Sequence, residues 1–230
     1  MGNKTIRSHP KFNGVFVSGP AGNWKLYTKN LIPGNQVYGE RLHQFKNEEY
    51  RGWDPYRSKL AAILLNNPML NFLSDDLKCL YLGASSGTTI SHLSDIAHKG
   101  VIYGVEFAPR SMRQLIQNTT ERENIIPILD DARYPHKFAE SIFTNIDLIY
   151  QDVAQPNQAE IAIANSDYYL KEKGIIIVAI KSQSINSVKS SEKVYKEEKE
   201  QFKEAGYQIV ETINIHKFAA NHIALIIQKG

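Results

Sequence analysis

The sequence predicts a doubly wound α/β protein: a mainly parallel seven-stranded sheet with an antiparallel last strand, preceded by a small β-rich domain. Three observations carry that reading. From Leu80 onward, short apolar runs alternate with stretches of helical periodicity. The first run, Cys79-Leu80-Tyr81-Leu82, breaks into the Gly-rich turn Gly83-Ala84-Ser85-Ser86-Gly87-Thr88-Thr89, after which Ile90, Leu93, Ile96 and Ala97 recur at helical spacing. The last two apolar runs have no helical stretch between them, so they must run antiparallel to each other.

The bulk numbers set the limits. A chain of 230 residues can bury one good core with a small appendage. Its net charge of +3 is uneven, because residues 1–55 hold 8 Lys and Arg against 4 Asp and Glu. So small an excess gives no general affinity for nucleic acid, although a basic N-terminal face can still meet phosphates. The single cysteine, Cys79, sits inside a predicted core strand. It offers no disulfide framework and no cysteine-rich metal site, which fits a reducing compartment. The histidines are scattered without ligand spacing, so no metal is expected. The longest apolar run, Ile175 to Ile180, is far too short to span a bilayer. The N-terminus has no apolar signal core, and a cytoplasmic protein without membrane contact is expected.

Residues 1–55 read as a small β-rich domain, a docking or substrate-orienting surface. Val15-Phe16-Val17 and Trp24-Lys25-Leu26-Tyr27 flank the turn Ser18-Gly19-Pro20-Ala21-Gly22-Asn23. Pro33-Gly34-Asn35 is a second turn, followed by Gln36-Val37-Tyr38, and Lys46-Asn47 separates the two arms of a further hairpin, Leu42 to Phe45 and Glu48 to Arg51. The segment Trp53 to Lys59 marks the boundary with the main domain, residues 56–230. Ser58 is placed to cap a helix carrying Leu60, Ala61, Ile63, Leu64 and Leu65, which stops near Asn66-Asn67-Pro68. Lys59 then lies in the first turn, where the helix dipole slightly disfavours a cation.

The main domain continues in order. Strands are expected at Cys79–Leu82, Val101–Glu106, Ile125–Leu129, Ile146–Tyr150, Ile175–Ile180, Tyr207–Ile215 and Ile223–Gln228. Pro109 opens a helix through Met112, Leu115 and Ile116. Further helices fall near Pro135–Ser141, at Asn157–Leu170 and at about Glu192–Ala205, the last stopping at Gly206. The helix of Asn157–Leu170 and the charged one after it are candidate docking faces, though a solvated outer face is the simpler reading of the second.

The Gly-rich turn has several readings. Gly83-x-x-x-Gly87 lacks the middle glycine of a dinucleotide fingerprint. Gly83-Ala84-Ser85-Ser86-Gly87 fits the G-x-S-x-G nucleophile elbow of a hydrolase, with Ser85 as nucleophile and His222 later in the chain. It also fits the adenosine loop of a class I methyltransferase that uses S-adenosylmethionine, or a tight turn with no ligand. The next strand favours the adenosine loop, because it ends at Glu106, roughly 20 residues on, where an acid can accept bonds from both ribose hydroxyls of a nucleoside. In such sheets ligands sit beyond the carboxyl ends of the parallel strands. Gly83, Glu106, Asp131, Asp152 and Lys181 all follow strand ends, and His222 precedes the antiparallel last strand, which puts it on the same rim.

Four stretches carry a resemblance. Arg57-Ser58-Lys59-Leu60-Ala61-Ala62, Tyr81 through Thr89, Glu121-Arg122-Glu123-Asn124-Ile125-Ile126-Pro127-Ile128 and Asp152-Val153-Ala154-Gln155-Pro156-Asn157-Gln158-Ala159 make the chain similar to fibrillarin. The likeness covers nearly the whole chain, more loosely over residues 1–40. It lacks the Gly/Arg-rich N-terminal extension of eukaryotic members and so resembles the archaeal form. Ser86 stands where a small residue such as Ala is expected.

The resemblance implies a class I, Rossmann-like methyltransferase that methylates ribose 2′-hydroxyls of rRNA and tRNA at positions chosen by a box C/D guide RNA. It implies a particle with a Nop-family scaffold protein and a kink-turn-binding ribosomal-type protein. The cofactor would be S-adenosylmethionine, held at the Gly83 and Ala84 turn and by residues matching Thr88, Thr89, Glu106, Phe107, Asp131, Ala132, Asp152, Val153, Ala154 and Gln155. The catalytic set would be Lys59, Asp152, Lys181 and His222. A hydrolase using Ser85 leaves Lys59, Glu106 and Lys181 without roles. A non-catalytic subunit of an RNA-processing particle is the remaining alternative.

Overall fold

A computed structural model describes residues 5–229. The N-terminal part forms a five-stranded antiparallel sheet from β1 (Arg7–Ser8), β2 (Val15–Ser18), β3 (Lys25–Lys29), β4 (Leu42–Phe45) and β5 (Glu48–Trp53), in the order β1-β2-β3-β5-β4. The β4–β5 hairpin pairs Phe45 with Glu48 across Lys46-Asn47. Both turn residues have positive φ, 50° and 62°, the left-handed backbone region that a type I′ two-residue hairpin turn requires. Gln36-Val37-Tyr38 is irregular rather than extended. The amides of Val37 and Tyr38 bond to the Glu40 carboxylate instead of a neighbouring strand.

The rest alternates as the periodicity predicts. In order come α1 (Lys59–Leu65), β6 (Lys78–Leu82), α2 (Thr88–Ile96), β7 (Val101–Glu106), α3 (Pro109–Thr119), β8 (Ile125–Leu129), a 3-10 helix (Pro135–Ser141) and β9 (Ile146–Gln151). Then follow α4 (Gln158–Tyr169), β10 (Leu170–Lys181), the short α5 (Ser182–Ile185), α6 (Ser191–Glu204), β11 (Gln208–Asn214) and β12 (His222–Gln228). The sheet order is β11-β12-β10-β9-β6-β7-β8. β6 to β10 run parallel to one another, while β12 is antiparallel to both β10 and β11. The chain moves outward from β6 to β8, then returns to place β9 on the other side of β6. That reversal opens a crevice at the carboxyl ends of β6 and β9.

Strand side chains alternate between two apolar cores. Cys79, Tyr81, Leu148, Tyr150 and Ile177 face α1, α2 and the small sheet, whose Phe12, Val15, Leu26 and Trp53 join the same core. Leu80, Leu82, Ile149, Ile176 and Val178 face α4 and Phe202 of α6. Both faces are covered, as a parallel sheet requires.

A buried charged network ties the small sheet to α2. Arg51 on β5 bonds Glu40 at 2.6 Å, Asp95 at 2.8 Å and Ser91 at 2.9 Å, and Arg122 bonds the second oxygen of Asp95 at 2.6 Å. His92 sits between the Thr28 and Tyr38 hydroxyls, each 2.7 Å away, and stacks on Trp53. Its pKa lies well below 6.5, chiefly through burial and then through the charges of Arg51 and Arg122.

Candidate active site

The Gly-rich turn is shaped by its backbone. Gly83 has φ +86°, and a Cβ there would stand 2.5 Å from the carbonyl oxygen of Asp152, so only glycine lets the turn pass the end of β9. The amides of Gly83 and Ala84 both donate to the Val105 carbonyl. Ser85 is left-handed with φ 53°, and Gly87, with φ 110°, starts α2. Thr88 and Thr89 are therefore the first residues of α2. Thr89 is not a free hydroxyl: it is 3.0 Å from Ser58 Oγ, which also caps α1. The cap of α1 and the start of α2 are thus joined, and Lys59, the first residue of α1, is set beside the turn.

A cavity of about 340 Å³ opens here, and Lys59, Asp152, Lys181 and His222 all line it. So do Gly83, Ala84, Ser85, Thr88, Thr89, Val153 and Ala154, together with Arg57, which sequence reasoning did not single out. Lys59 Nζ makes an ion pair with Asp152 Oδ2 at 2.9 Å. Lys181 ends β10 and lies opposite His222 in the β10–β12 register. His222 Nδ1 is 2.7 Å from the Ala220 carbonyl, which can only accept, so Nδ1 carries the proton and Nε2 keeps the lone pair. Burial holds the His222 pKa below 6.5, and the charges of Lys59 and Lys181 push the same way.

The remaining candidates lie on the adjoining rim. Glu106 is buried, and one backbone amide donates to each of its carboxylate oxygens: Ser85 at 2.9 Å and Ala108 at 2.8 Å. Ser85 thus contributes its amide, and no hydrogen bond joins its side chain to His222. Phe107 is 62% exposed at the end of β7, so it is not a core residue. Asp131 is gripped by Arg133, whose hydrogen bonds hold its carboxyl below the usual carboxylate range, and Gln155 Nε2 lies 3.4 Å from it. Ala132 is buried, and its carbonyl accepts from Asn165 of α4. A larger cleft of about 860 Å³ lies alongside, between the small sheet and Lys217-Phe218, and shares Arg57 with the first. None of the expected site residues lines it. Among the described residues no group of three His, Cys, Asp or Glu side chains is arranged to hold a metal ion.

A family model described as fibrillarin matches residues 6–229. The chain belongs to the fibrillarin family. A relative from Methanocaldococcus jannaschii, named fibrillarin-like rRNA/tRNA 2′-O-methyltransferase, is 45% identical over 202 residues, covering 88% of this chain and 87% of that protein. The crystal structure of Aeropyrum pernix fibrillarin with natively bound S-adenosyl-L-methionine is similar at a TM-score of 0.88 and 42% identity, over 97% of each chain. A fibrillarin chain crystallised in complex with Nop5p is similar at a TM-score of 0.82 and 39% identity, over 95% of this chain and 99% of that one. Methyltransferases outside the fibrillarin family share the fold. As a family member the chain has the class I methyltransferase fold, with a second, antiparallel sheet at its N-terminus. No helix among the described residues is long and apolar enough to cross a membrane.

Proposed function

We propose that this fibrillarin-family chain transfers a methyl group from S-adenosylmethionine to ribose 2′-hydroxyls of rRNA and tRNA, as the catalytic subunit of a box C/D ribonucleoprotein. The observation that carries this reading is the convergence of Lys59, Asp152, Lys181 and His222 on one cavity beside the Gly83 turn.

The residues present fit the cofactor. The Glu106 carboxylate, fixed by two backbone amides, keeps lone pairs on both oxygens for adjacent ribose hydroxyls. Phe107 offers an exposed ring at that edge, and Asp131 with Ala132 and Gln155 offers polar groups to the base. Gly83, Ala84, Thr88 and Thr89, with Asp152, Val153 and Ala154 across from them, enclose the remainder. Bound there, S-adenosylmethionine supplies a methyl group already activated on a sulfonium.

The chain's own task is to align the acceptor oxygen and take its proton. Alignment alone can contribute up to about 7–11 kcal/mol in ideal cases. Lys59 occupies Oδ2 of Asp152, which leaves Oδ1 to accept from the incoming hydroxyl. Lys59 and Lys181 bring two positive charges to the cavity where an alkoxide forms. His222, neutral and anchored through Nδ1, keeps Nε2 as a proton acceptor.

Sequence choice by base pairing leaves the protein to recognise backbone, shape and the 2′-hydroxyl. The partners in this reading are the guide RNA, a Nop-family scaffold and a kink-turn-binding ribosomal-type protein, and the particle is cytoplasmic. The complex of a relative with Nop5p supports the scaffold. Residues 1–55 act as an orienting domain and residues 56–230 as the methyltransferase domain.

Calorimetric titration with S-adenosylmethionine tests the cofactor site. Removing a charged acceptor is worth about 1.5–3 kcal/mol, so Glu106→Ala is expected to weaken binding roughly ten- to a hundredfold. Lys181→Ala is expected to bind the cofactor like wild type and to lose transfer by roughly a hundredfold or more in a reconstituted particle. Transfer at the wild-type rate would remove Lys181 from the catalytic set.

A further inference from the structure

Lys181 stands beyond the parallel ladder that supports the rest of β10. β9 ends at Gln151, which lies opposite Val178, so no β9 residue pairs with Lys181. The backbone N–H of Lys181 still has a partner: it donates to Oε1 of Gln158 at 3.0 Å. Gln158 is completely buried and is the first residue of α4. Its backbone carbonyl accepts from Nε2 of Gln151 at 2.7 Å, so the last residue of β9 holds the residue that holds Lys181. The next amide, that of Ala159, donates to the buried Glu198 carboxylate of α6 at 2.8 Å. Asn157 supplies no side-chain cap. Gln158 Nε2 has no hydrogen-bond partner, so Oε1 is the only working polar atom of that side chain.

We propose that Gln158 is a positioning residue for methyl transfer. Its Oε1 supplies the acceptor that β9 stops too early to provide. It fixes the end of β10 so that the Lys181 side chain stays in the cavity with Asp152 and with its register neighbour His222. The inference rests on the reading of Lys181 as part of the acceptor site. A buried glutamine there is costly unless its oxygen is used, and a hydrophobic residue of similar length would fill the same space.

Two variants separate positioning from space-filling. Gln158→Met keeps the volume and removes the acceptor. Gln158→Glu keeps an acceptor oxygen and exchanges the unpartnered amide NH2 for an oxygen, which full burial favours as the neutral OH. The reconstituted guided particle gives kcat, KM for target RNA and cofactor affinity, and amide hydrogen exchange at Lys181 is read by NMR on the protein alone. Gln158→Met is expected to lower kcat about tenfold, the worth of one hydrogen bond, with KM and cofactor affinity within about twofold. Exchange at the Lys181 amide is expected to quicken by roughly tenfold. Gln158→Glu is expected to restore both to within about threefold of wild type. If Gln158→Met does not fold, Gln158→Ala, which adds no bulk, takes its place under the same criteria. Wild-type kcat and exchange in the Met or Ala variant would overturn the proposal, and so would equal losses in the Met and Glu variants that follow thermal stability. Failure of wild type to transfer a methyl group would contradict the functional reading instead, leaving the exchange measurement at Lys181 as an independent test of the bond.

Discussion

If His222 belongs to the proposed catalytic set, it sets the acid limit of the reaction. Buried beside Lys59 and Lys181, it is disfavoured as a cation, and its pKa falls below 6.5. Protonation would remove the Nε2 lone pair and add a third positive charge to the cavity. The rate of transfer is therefore expected to be level through neutral pH and to fall only below about 6.5, as the imidazole takes up its proton. A pH–rate profile on the reconstituted particle checks this. A rate that keeps rising into the alkaline range, with no plateau at neutral pH, would assign the proton to a lysine instead. At this scale the sequence was informative where strand-end logic applies. Asp152, Lys181, His222 and Glu106 were legible because each flanks an apolar run, and their joint placement on one rim follows from topology, whereas Lys59 was singled out by the family resemblance. Phe107 was not legible as an exposed ring, since a Phe after a strand reads equally well as core. Gln158 gave no signal as a partner of Lys181, because that bond depends on where β9 stops relative to β10.

Among the elements, α2 is the one that both the site and the small sheet depend on. Its first turn carries Thr88 and Thr89, and its body carries Ser91, His92 and Asp95, which receive Arg51 and Thr28 from the small sheet. None of this was readable from the chain, where Arg51, Asp95 and Arg122 look like ordinary surface charges and only the fold removes them from water. The network is sensitive to losing Arg51, because Glu40 is then buried without a counter-charge and Asp95 keeps only Arg122 as its cation. Arg51→Met is expected to cost about 3–5 kcal/mol in denaturant unfolding, well above an exposed ion-pair variant such as Lys99→Met. His92 gives this junction a pH dependence. Its folded pKa is depressed, so below 6.5 the unfolded chain binds more protons and stability falls as pH drops, while above 6.5 the contribution is complete. The unfolding midpoint is expected to decline between pH 7 and pH 5, and to decline less steeply in His92→Gln. A slope unchanged by that substitution would place the acid sensitivity elsewhere.

For the whole molecule, a doubly wound sheet buried on both faces leaves its carboxyl-end rim as the working edge. The antiparallel small sheet packs on the core that α1, α2 and one face of the large sheet provide. The alternation of strands and helices, the seven strands and the antiparallel end were all readable from apolar periodicity. The strand order was not, because it is set by long-range pairing rather than by any local pattern. In the proposed reading, base pairing with a guide leaves this chain to hold cofactor and acceptor in line, a job that its cross-braced site suits. The most direct test is transfer of labelled methyl from S-adenosylmethionine by a particle reconstituted with guide RNA, scaffold protein and kink-turn-binding protein. A matched target RNA is compared with one lacking only the 2′-hydroxyl at the guided position. Label is expected at that single ribose, with none in the 2′-deoxy target and a loss of roughly a hundredfold or more with Lys181→Ala. Label in the 2′-deoxy target, or none in the matched target despite bound cofactor, would contradict 2′-O-methyl transfer at the site built by Lys59, Asp152, Lys181 and His222.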